Sequence, residues 1–390
     1  ISILKAVKKR KAMEEKRLKI CVYAICKNEE KFVDRWVEAL KDEADYVVVL
    51  DTGSTDSTVE KLKAYEPFVT VKQYDYFKES GIFRFDRARN DSMKLIPNDT
   101  DICVVFDLDQ IPQSGWSEII REEVAAGNWE VRGYIIDHND EGREVNRWES
   151  RNVHVNDPFF IWTKIIHEGI EYYGKEKNYP VVFREDFVIN HYPDNHKDRS
   201  LYRTLLEYAV KEYPRDPYYA IYLGIELDRR YSKEDSAKAF RRALSDCNFV
   251  NNKDIEYQIC INLSQVTNSP NEALIVLDRA RDIVEVNNNR RLYKAYADIY
   301  ETIGNHDKAI EMLEKSLEIK SYSSDWTDDY YLYTGYVEDR LSLFYYYQKH
   351  DPLSAMEYCV RALKLDPDNE RIKTNLKFYY ESYVGTKEHE

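Results

Sequence analysis

The chain has 390 residues, 43% apolar and 14% aromatic, which is enough for packed cores and too much for a disordered chain. Twelve glycines and 11 prolines exclude a fibrous protein, and no run reaches the roughly 18 uncharged apolar residues of a membrane span. A formal net charge of −14 speaks against broad phosphate-driven binding to nucleic acid and leaves room only for a local basic groove.

Residues 1–18 carry seven Lys and Arg against Glu14 and Glu15, with no apolar stretch of a secretory signal behind them. They read as a basic, solvated lead-in helix, or as a patch for an anionic membrane or partner. The six cysteines show no tight C-x-x-C pair and sit mostly in apolar runs. They read as reduced core thiols of a cytoplasmic protein.

Lys19 to Cys26 is of strand type, and Phe32, Trp36, Val37 and Leu40 have helical spacing. Strand Tyr46–Leu50 ends in Asp51, helix 57–65 leads to strand Val69–Tyr74, and helix 86–96 leads to strand Ile102–Phe106. Alternating strands and helices predict a parallel α/β sheet covered on both faces. Its ligands would bind outside the carboxyl ends of the strands, where Asp51 and Asp107 fall.

From about residue 199 the pattern is helical and repeats. Small–apolar–small triads occur at Ser236/Phe240/Ala243, Ala273/Leu277/Ala280, Ala309/Leu313/Ser316 and Ala355/Cys359/Ala362, with first members 37, 36 and 46 residues apart. They resemble tetratricopeptide repeats, units of about 34 residues built as helix–turn–helix. Arg290 to Lys320 is the cleanest unit, and residues 367–384 would form a capping helix. The tyrosines concentrated here read as repeat packing or as the lining of an acceptor groove.

Four segments carry the chemistry: Cys26-Lys-Asn-Glu-Glu30, Asp51-Thr-Gly-Ser-Thr-Asp-Ser-Thr58, Phe85-Asp-Arg-Ala-Arg-Asn90 and Phe106-Asp-Leu-Asp-Gln110. Each alone is weak; together, in this order and each beside a strand, they resemble family 2 glycosyltransferases of the GT-A fold. The resemblance covers roughly residues 18–195, so the domains expected are 1–18, 19–195 and 199–390. It implies a Rossmann-like mixed sheet followed by an all-α repeat domain. The two-part architecture is similar to glycocin glycosyltransferases of the sublancin type, though such pairs also occur in phages and polysaccharide gene clusters.

The resemblance implies a UDP-sugar donor and Mn2+ or Mg2+. Asp51 would meet the base, with Asn28 and Glu29 closing the same pocket; the alternative for Asp51 is a helix N-cap, a task for which Ser54, Thr55 and Ser57 are better placed. Of Arg87 and Arg89, one would grip the donor and one would be structural, with Arg87 favoured as the ligand. Asn90 would hold the backbone of this donor segment. Asp107 and Asp109 form the metal motif, Asp109 on the cation and Asp107 mainly on ribose or sugar. His191 would be a third ligand. Gln110 stands where relatives often carry an acidic residue.

Ile165-Ile-His-Glu168 supplies the catalytic pair, with Glu168 as base and His167 as a substrate or leaving-group contact, or the roles exchanged. A histidine bonding a loop carbonyl is the plainer alternative for His167. Trp148, Arg151 and Trp162 read equally as a sugar platform with a phosphate contact or as core aromatics with a surface arginine. His138, His154 and His196 have weaker claims.

The activity implied is metal-dependent, inverting transfer of a hexosyl or N-acetylhexosaminyl group to a peptide or protein, with the repeats presenting the acceptor or dimerising. A surface glycan or a hydroxylated DNA base is the alternative acceptor; DNA would need a basic groove, to which the basic N-terminal segment and Arg241, Arg242, Arg290 and Arg291 would contribute. An inert repeat scaffold is the rival of another class. A Rossmann dehydrogenase is excluded, because no G-x-G-x-x-G follows the first strand.

Overall fold

The computed structural model describes residues 17–76, 82–194, 200–283, 288–323 and 326–387. The expected helix over 1–18 falls almost wholly, and His196 wholly, outside the described residues. The chain divides into two compact units, Ile1–Arg199 and Ser200–Glu390.

The first unit begins with β1 (Ile20–Cys26), α1 (Val33–Leu40), β2 (Tyr46–Asp51), α2 (Thr58–Lys63), β3 (Val69–Gln73), α3 (Phe85–Met93) and β4 (Ile102–Val105). It continues through β5 (Gln110–Pro112), α4 (Trp116–Ala126), β6 (Glu130–His138), β7 (Glu144–Glu149), β8 (Val153–Val155), β9 (Phe160–Thr163), β10 (Gly169–Tyr172) and β11 (Val181–His191). The main sheet runs β3-β2-β1-β4-β8-β6-β11-β5, with β7 also on β6, and β9 pairs with β10 separately.

Strands β1 to β4 are parallel neighbours, as the alternation of strands and helices predicts. Beyond β4 the sheet is mixed, as the resemblance implies; the parallel order that the strand–helix alternation predicts holds for β1 to β4. Strand β8 is antiparallel to β4 and β6, β7 to β6, and β5 to β11. The connections from β6 to β7 and from β7 to β8 are too short for the dozen or so residues that a parallel crossover needs.

One face packs Val22, Ala24, Val47, Val49 and Val104 against Trp36 of α1 and Trp116 of α4. The other packs Cys21, Tyr23, Val48, Cys103 and Val105 against Phe160, Trp162 and Ile170 of the β9–β10 hairpin. That hairpin shares with α3 the cover that the sequence pattern assigns to helices alone. Five of the six cysteines are buried and all six are free thiols.

The second unit consists of α5 (Ser200–Glu212), α6 (Pro217–Arg230), α7 (Lys233–Asp246), α8 (Lys253–Val266), α9 (Pro270–Arg281), α10 (Arg290–Thr302), α11 (His306–Glu318), α12 (Tyr336–Tyr347), α13 (Pro352–Leu365) and α14 (Glu370–Lys387). The helices pack as pairs α6/α7, α8/α9, α10/α11 and α12/α13, with α14 on α13. Every triad residue lies on the second helix of a pair and is at most 2% exposed. The starts are signalled locally: Asp216, Ser232, Ser269, Asn289, Asn305 and Asp351 each accept a first-turn N–H.

The 46-residue spacing reflects a long connection between α11 and α12 that turns back over earlier helices. Trp326 stacks on Tyr222 of α6 and donates its indole N–H to Asp254 of α8, and its carbonyl accepts from Gln258. Arg290, itself buried, donates to the Ile319 and Leu332 carbonyls, and Arg291 reaches Gln258, Asn262 and Asp329. Arg241 pairs with Glu272 and Arg242 with Asp246. Arg290 and Arg291 therefore serve contacts within the unit, while Arg241 and Arg242 form ion pairs on its surface.

Candidate active site

The carboxyl ends of β1 and β2 meet as two interlocked loops. Asn28 has φ 56°, a left-handed conformation that asparagine tolerates better than most residues. Its N–H donates to Ser54 Oγ at 2.8 Å, and its Oδ1 accepts from the Thr55 N–H at 2.7 Å. Glu29 is buried and donates its N–H to Thr58 Oγ1 at 2.7 Å.

Asp51 is fully buried; its carboxylate accepts the N–H groups of Gly53 and Ser54, within a turn that Gly53 makes with φ 110°. Neither Asp51 nor Ser54, Thr55 or Ser57 caps α2 with its side chain. That work falls to Asp56, on the Thr58 N–H, and to Glu30, on the Ser57 N–H. Asn28, Glu29 and Asp51 are thus brought together on adjoining loops.

Helix α3, which carries Phe85-Asp-Arg-Ala-Arg-Asn90, packs on β1 and β9. Asn90 spends both ends of its amide on the backbone of Trp162, at 2.8 and 3.0 Å, so it is a strap between α3 and β9. Arg87 lies near Asp91, at 3.9 Å, and over the Tyr76 ring. Arg89 is the buried one of the pair. Its two terminal nitrogens lie 2.7 and 2.9 Å from the carboxylate oxygens of Asp107, and its Nε donates to Glu168 at 3.0 Å. The guanidinium also sits over the Trp162 ring. Burial works against its charge, but Asp107 and Glu168 outweigh that and raise its pKa above the ordinary arginine value.

Asp107 and Asp109 occupy the turn between β4 and β5. Gln110 Oε1 accepts the Asp107 N–H at 3.2 Å and lies 3.3 Å from Asn152 Nδ2, so the departure at this position pins the turn. Strand β5 pairs with β11 so that Gln110 faces His191, and this register sets the imidazole beside Asp109. His191 Nε2 lies 3.3 Å from Asp109 Oδ2, and Nδ1 lies 2.6 Å from Asp137 Oδ1. Burial would lower its pKa, but the hydrogen bonds and charges of Asp109 and Asp137 push it up to about 10.

Among the described residues no three His, Cys, Asp or Glu side chains are gathered for a metal ion. The expected set Asp107, Asp109 and His191 is therefore not assembled as one cluster: Asp107 turns to Arg89, while Asp109 and His191 face each other. Nε2 and Oδ2 face each other at 3.3 Å, and carboxylate oxygen with imidazole is a donor set that Mn2+ accepts.

Glu168 and His167 stand on the turn between β9 and β10. His167 and Lys164 have φ 54° and 76°, backbone strain that side-chain-bearing residues seldom carry. Trp162 is buried, donating its indole N–H to Tyr23, and Trp148 packs on the core and meets the His191 ring edge-on. Arg151 pairs with the buried Glu130. These three take the plainer reading. His138 bonds Asn190 and the Gly142 carbonyl. His154 is buried between Tyr23 and the Val155 carbonyl, and its pKa is lowered to about 4 by that burial.

Sequence reasoning ranked Arg89 below Arg87 and passed over Asp137. The partners of Arg89 are remote in the chain, and Asp137 belongs to no motif; side-chain contacts of the folded chain reveal the first, and the β6–β11 register the second.

Residues 21–185 match the model of Glycosyl transferase family 2, and residues 291–322 match that of a tetratricopeptide repeat. No curated protein matches the chain. Among solved structures it is similar to TarS 1–349 of S. aureus in complex with UDP-GlcNAc, at 15% identity and TM-score 0.37, over 70% of this chain and 90% of that one. It is also similar to TTC0263, a thermophilic TPR protein of Thermus thermophilus, at 16% identity and TM-score 0.33, over 46% of this chain and 90% of that one. Within the first unit residues 21–185 thus correspond to a family 2 glycosyltransferase domain, and the second unit carries tetratricopeptide-like repeats. Among the described residues no helix is long and apolar enough to cross a membrane.

Proposed function

We propose that the protein is a metal-dependent, inverting glycosyltransferase that moves a hexosyl or N-acetylhexosaminyl group from a UDP-sugar to a peptide or protein side chain. The observation that carries the reading is the Arg89 guanidinium, which holds Asp107 and Glu168 together at the carboxyl end of the sheet. Asn28, Glu29 and Asp51 form the base pocket, Arg87 meets the phosphates, and Asp107 meets ribose or sugar.

Glu168, fixed by Arg89, accepts the proton of the acceptor nucleophile. The nucleophile then attacks the anomeric carbon on the face opposite the diphosphate, and the bond from that carbon to the diphosphate oxygen breaks. His167 contacts the substrate or leaving group. Asp109 and His191 would hold the divalent cation, whose charge, when bound, offsets that of the leaving diphosphate. The peptide acceptor rests on the habit of helical repeats of gripping extended segments.

The test is a panel of nucleotide-sugars read by thermal shift and donor hydrolysis, with Mn2+, with Mg2+ and with chelator. One UDP-sugar should stabilise the protein and release UDP slowly, and chelator should abolish both effects. A folded sample that no donor stabilises would leave the inert scaffold as the reading.

A further inference from the structure

We infer that Asp137 is a positioning residue for His191, fixing which ring nitrogen the imidazole presents to a divalent cation shared with Asp109. The inference rests on the metal-dependent reading above and goes beyond it to a residue in no motif.

The argument is one of register. Strand β11 is parallel to β6 with His191 opposite Asp137, and antiparallel to β5 with His191 opposite Gln110. The imidazole is thereby set between the end of one neighbouring strand and the Asp109 turn before the other. Its Nδ1 lies 2.6 Å from Asp137 Oδ1, while Nε2 points to Asp109 Oδ2 at 3.3 Å. The Trp148 ring closes a third side edge-on, with centroids 6.2 Å apart.

A neutral imidazole has one donor and one acceptor, and an ionised carboxylate can only accept. With a cation between Nε2 and Asp109, Asp137 would keep the ring's one proton on Nδ1 and leave the Nε2 lone pair for the metal, the tautomer that a metal ligand requires. The surrounding structure supports this placement. The β6–β7 register shifts just after Asp137, a bulge of the kind that re-aims a side chain. The next residue along the chain after β11, Tyr192, donates its N–H to the Asp109 carbonyl at 2.9 Å. Its ring lies between the Arg35 guanidinium and the His138 ring, with centroid distances of 4.4 and 4.9 Å. The same strand ends thus hold both the ligand carboxylate and the ligand imidazole.

The test is an electron paramagnetic resonance titration of Mn2+ on the full chain with UDP present, comparing wild type, Asp137→Asn, Asp137→Ser and Asp109→Ala. Asp137→Asn keeps the shape of the side chain but offers an amide that can donate to Nδ1. Both Asp137 variants should bind Mn2+ about 10-fold or more weakly. Donor hydrolysis by Asp137→Asn should shift to higher Mn2+ and recover most of its rate at saturation, which a loss of folding would not do. Unchanged Mn2+ affinity in both Asp137 variants, with affinity lost in Asp109→Ala, would overturn the inference and leave the metal-dependent reading standing. A wild type that binds no Mn2+ with UDP would overturn both.

Discussion

A single guanidinium, that of Arg89, joins two carboxylates that lie 18 and 79 residues away along the chain. Lysine carries the same charge, but its three donors share one nitrogen and cannot span two acids as the planar guanidinium fork does. Arg89→Lys should therefore keep the fold and lose the mutual placement of Asp107 and Glu168. A kcat loss of about 10²-fold, with UDP affinity changed much less, is the expected result from steady-state kinetics and UDP titration. Glu168→Gln should keep donor binding and lose transfer; if donor binding fails instead, Glu168 is not primarily the base. The contrast between motif and partner explains what was readable. Asp51, Asp107 and Asp109 announce themselves because each closely follows an apolar strand, whereas a salt bridge across 79 residues leaves no trace in spacing. His154 shows the same limit: nothing in its neighbours along the chain foretells a fully buried ring. Trp162 donates to Tyr23, and Tyr23 lies 3.1 Å from His154 Nε2, so the neutral ring completes a buried chain of hydrogen bonds. Its folded pKa of about 4 lies below the unfolded value near 6.5, so the unfolded chain binds the extra proton first. This contribution is whole above pH 6.5 and is lost as pH falls toward 4, on the order of 3 kcal/mol when complete. Urea unfolding across that range should fall more steeply for wild type than for His154→Gln; parallel curves would remove the assignment.

The elements divide by how strongly their periodicity is marked. The repeat helices were legible because each triad needs small side chains where two helices touch, and all twelve triad positions are indeed buried. Gly224 carries the same logic on the first helix of its pair. A Cβ there would lie 2.2 Å from the Phe240 ring, and the Gly224 carbonyl accepts from Ser236 Oγ at 2.8 Å. Gly224→Ala should therefore destabilise the repeat unit by about 1–3 kcal/mol through overpacking, although alanine favours helices. Far-UV circular dichroism in urea should show the helical transition at lower denaturant, and an unchanged transition would mean that α6 and α7 separate freely. Strands β5 and β7 to β10 were not legible in the same way. They are three to six residues long, β7 carries Glu144 and Arg147 and is exposed over its first half, and their antiparallel pairing depends on partners that no local pattern names. The long connection before α12 announced itself only as an irregular spacing, and its role in covering α6 and α8 rests on Trp326.

At the scale of the whole molecule, each unit has cores of its own. Val22, Trp36 and Trp116 anchor the first, while Phe240, Leu277 and Leu313 anchor the second. Both groups proposed for the chemistry, Arg89 with its two acids and Asp109 with His191, lie within residues 17–194. Donor binding and slow hydrolysis should accordingly be properties of the first unit, and acceptor recognition a property of the second. Deleting residues 200–390 should leave UDP-sugar hydrolysis within a few-fold of the full chain and reduce transfer to a peptide acceptor by a much larger factor. Unfolding followed by near-UV circular dichroism would first establish that the shortened chain keeps the packed environment of Trp36 and Trp116. In a chain that passes that check, an equal loss of hydrolysis and transfer would show that the repeats serve the donor chemistry itself. A selective loss of transfer would assign them to the acceptor.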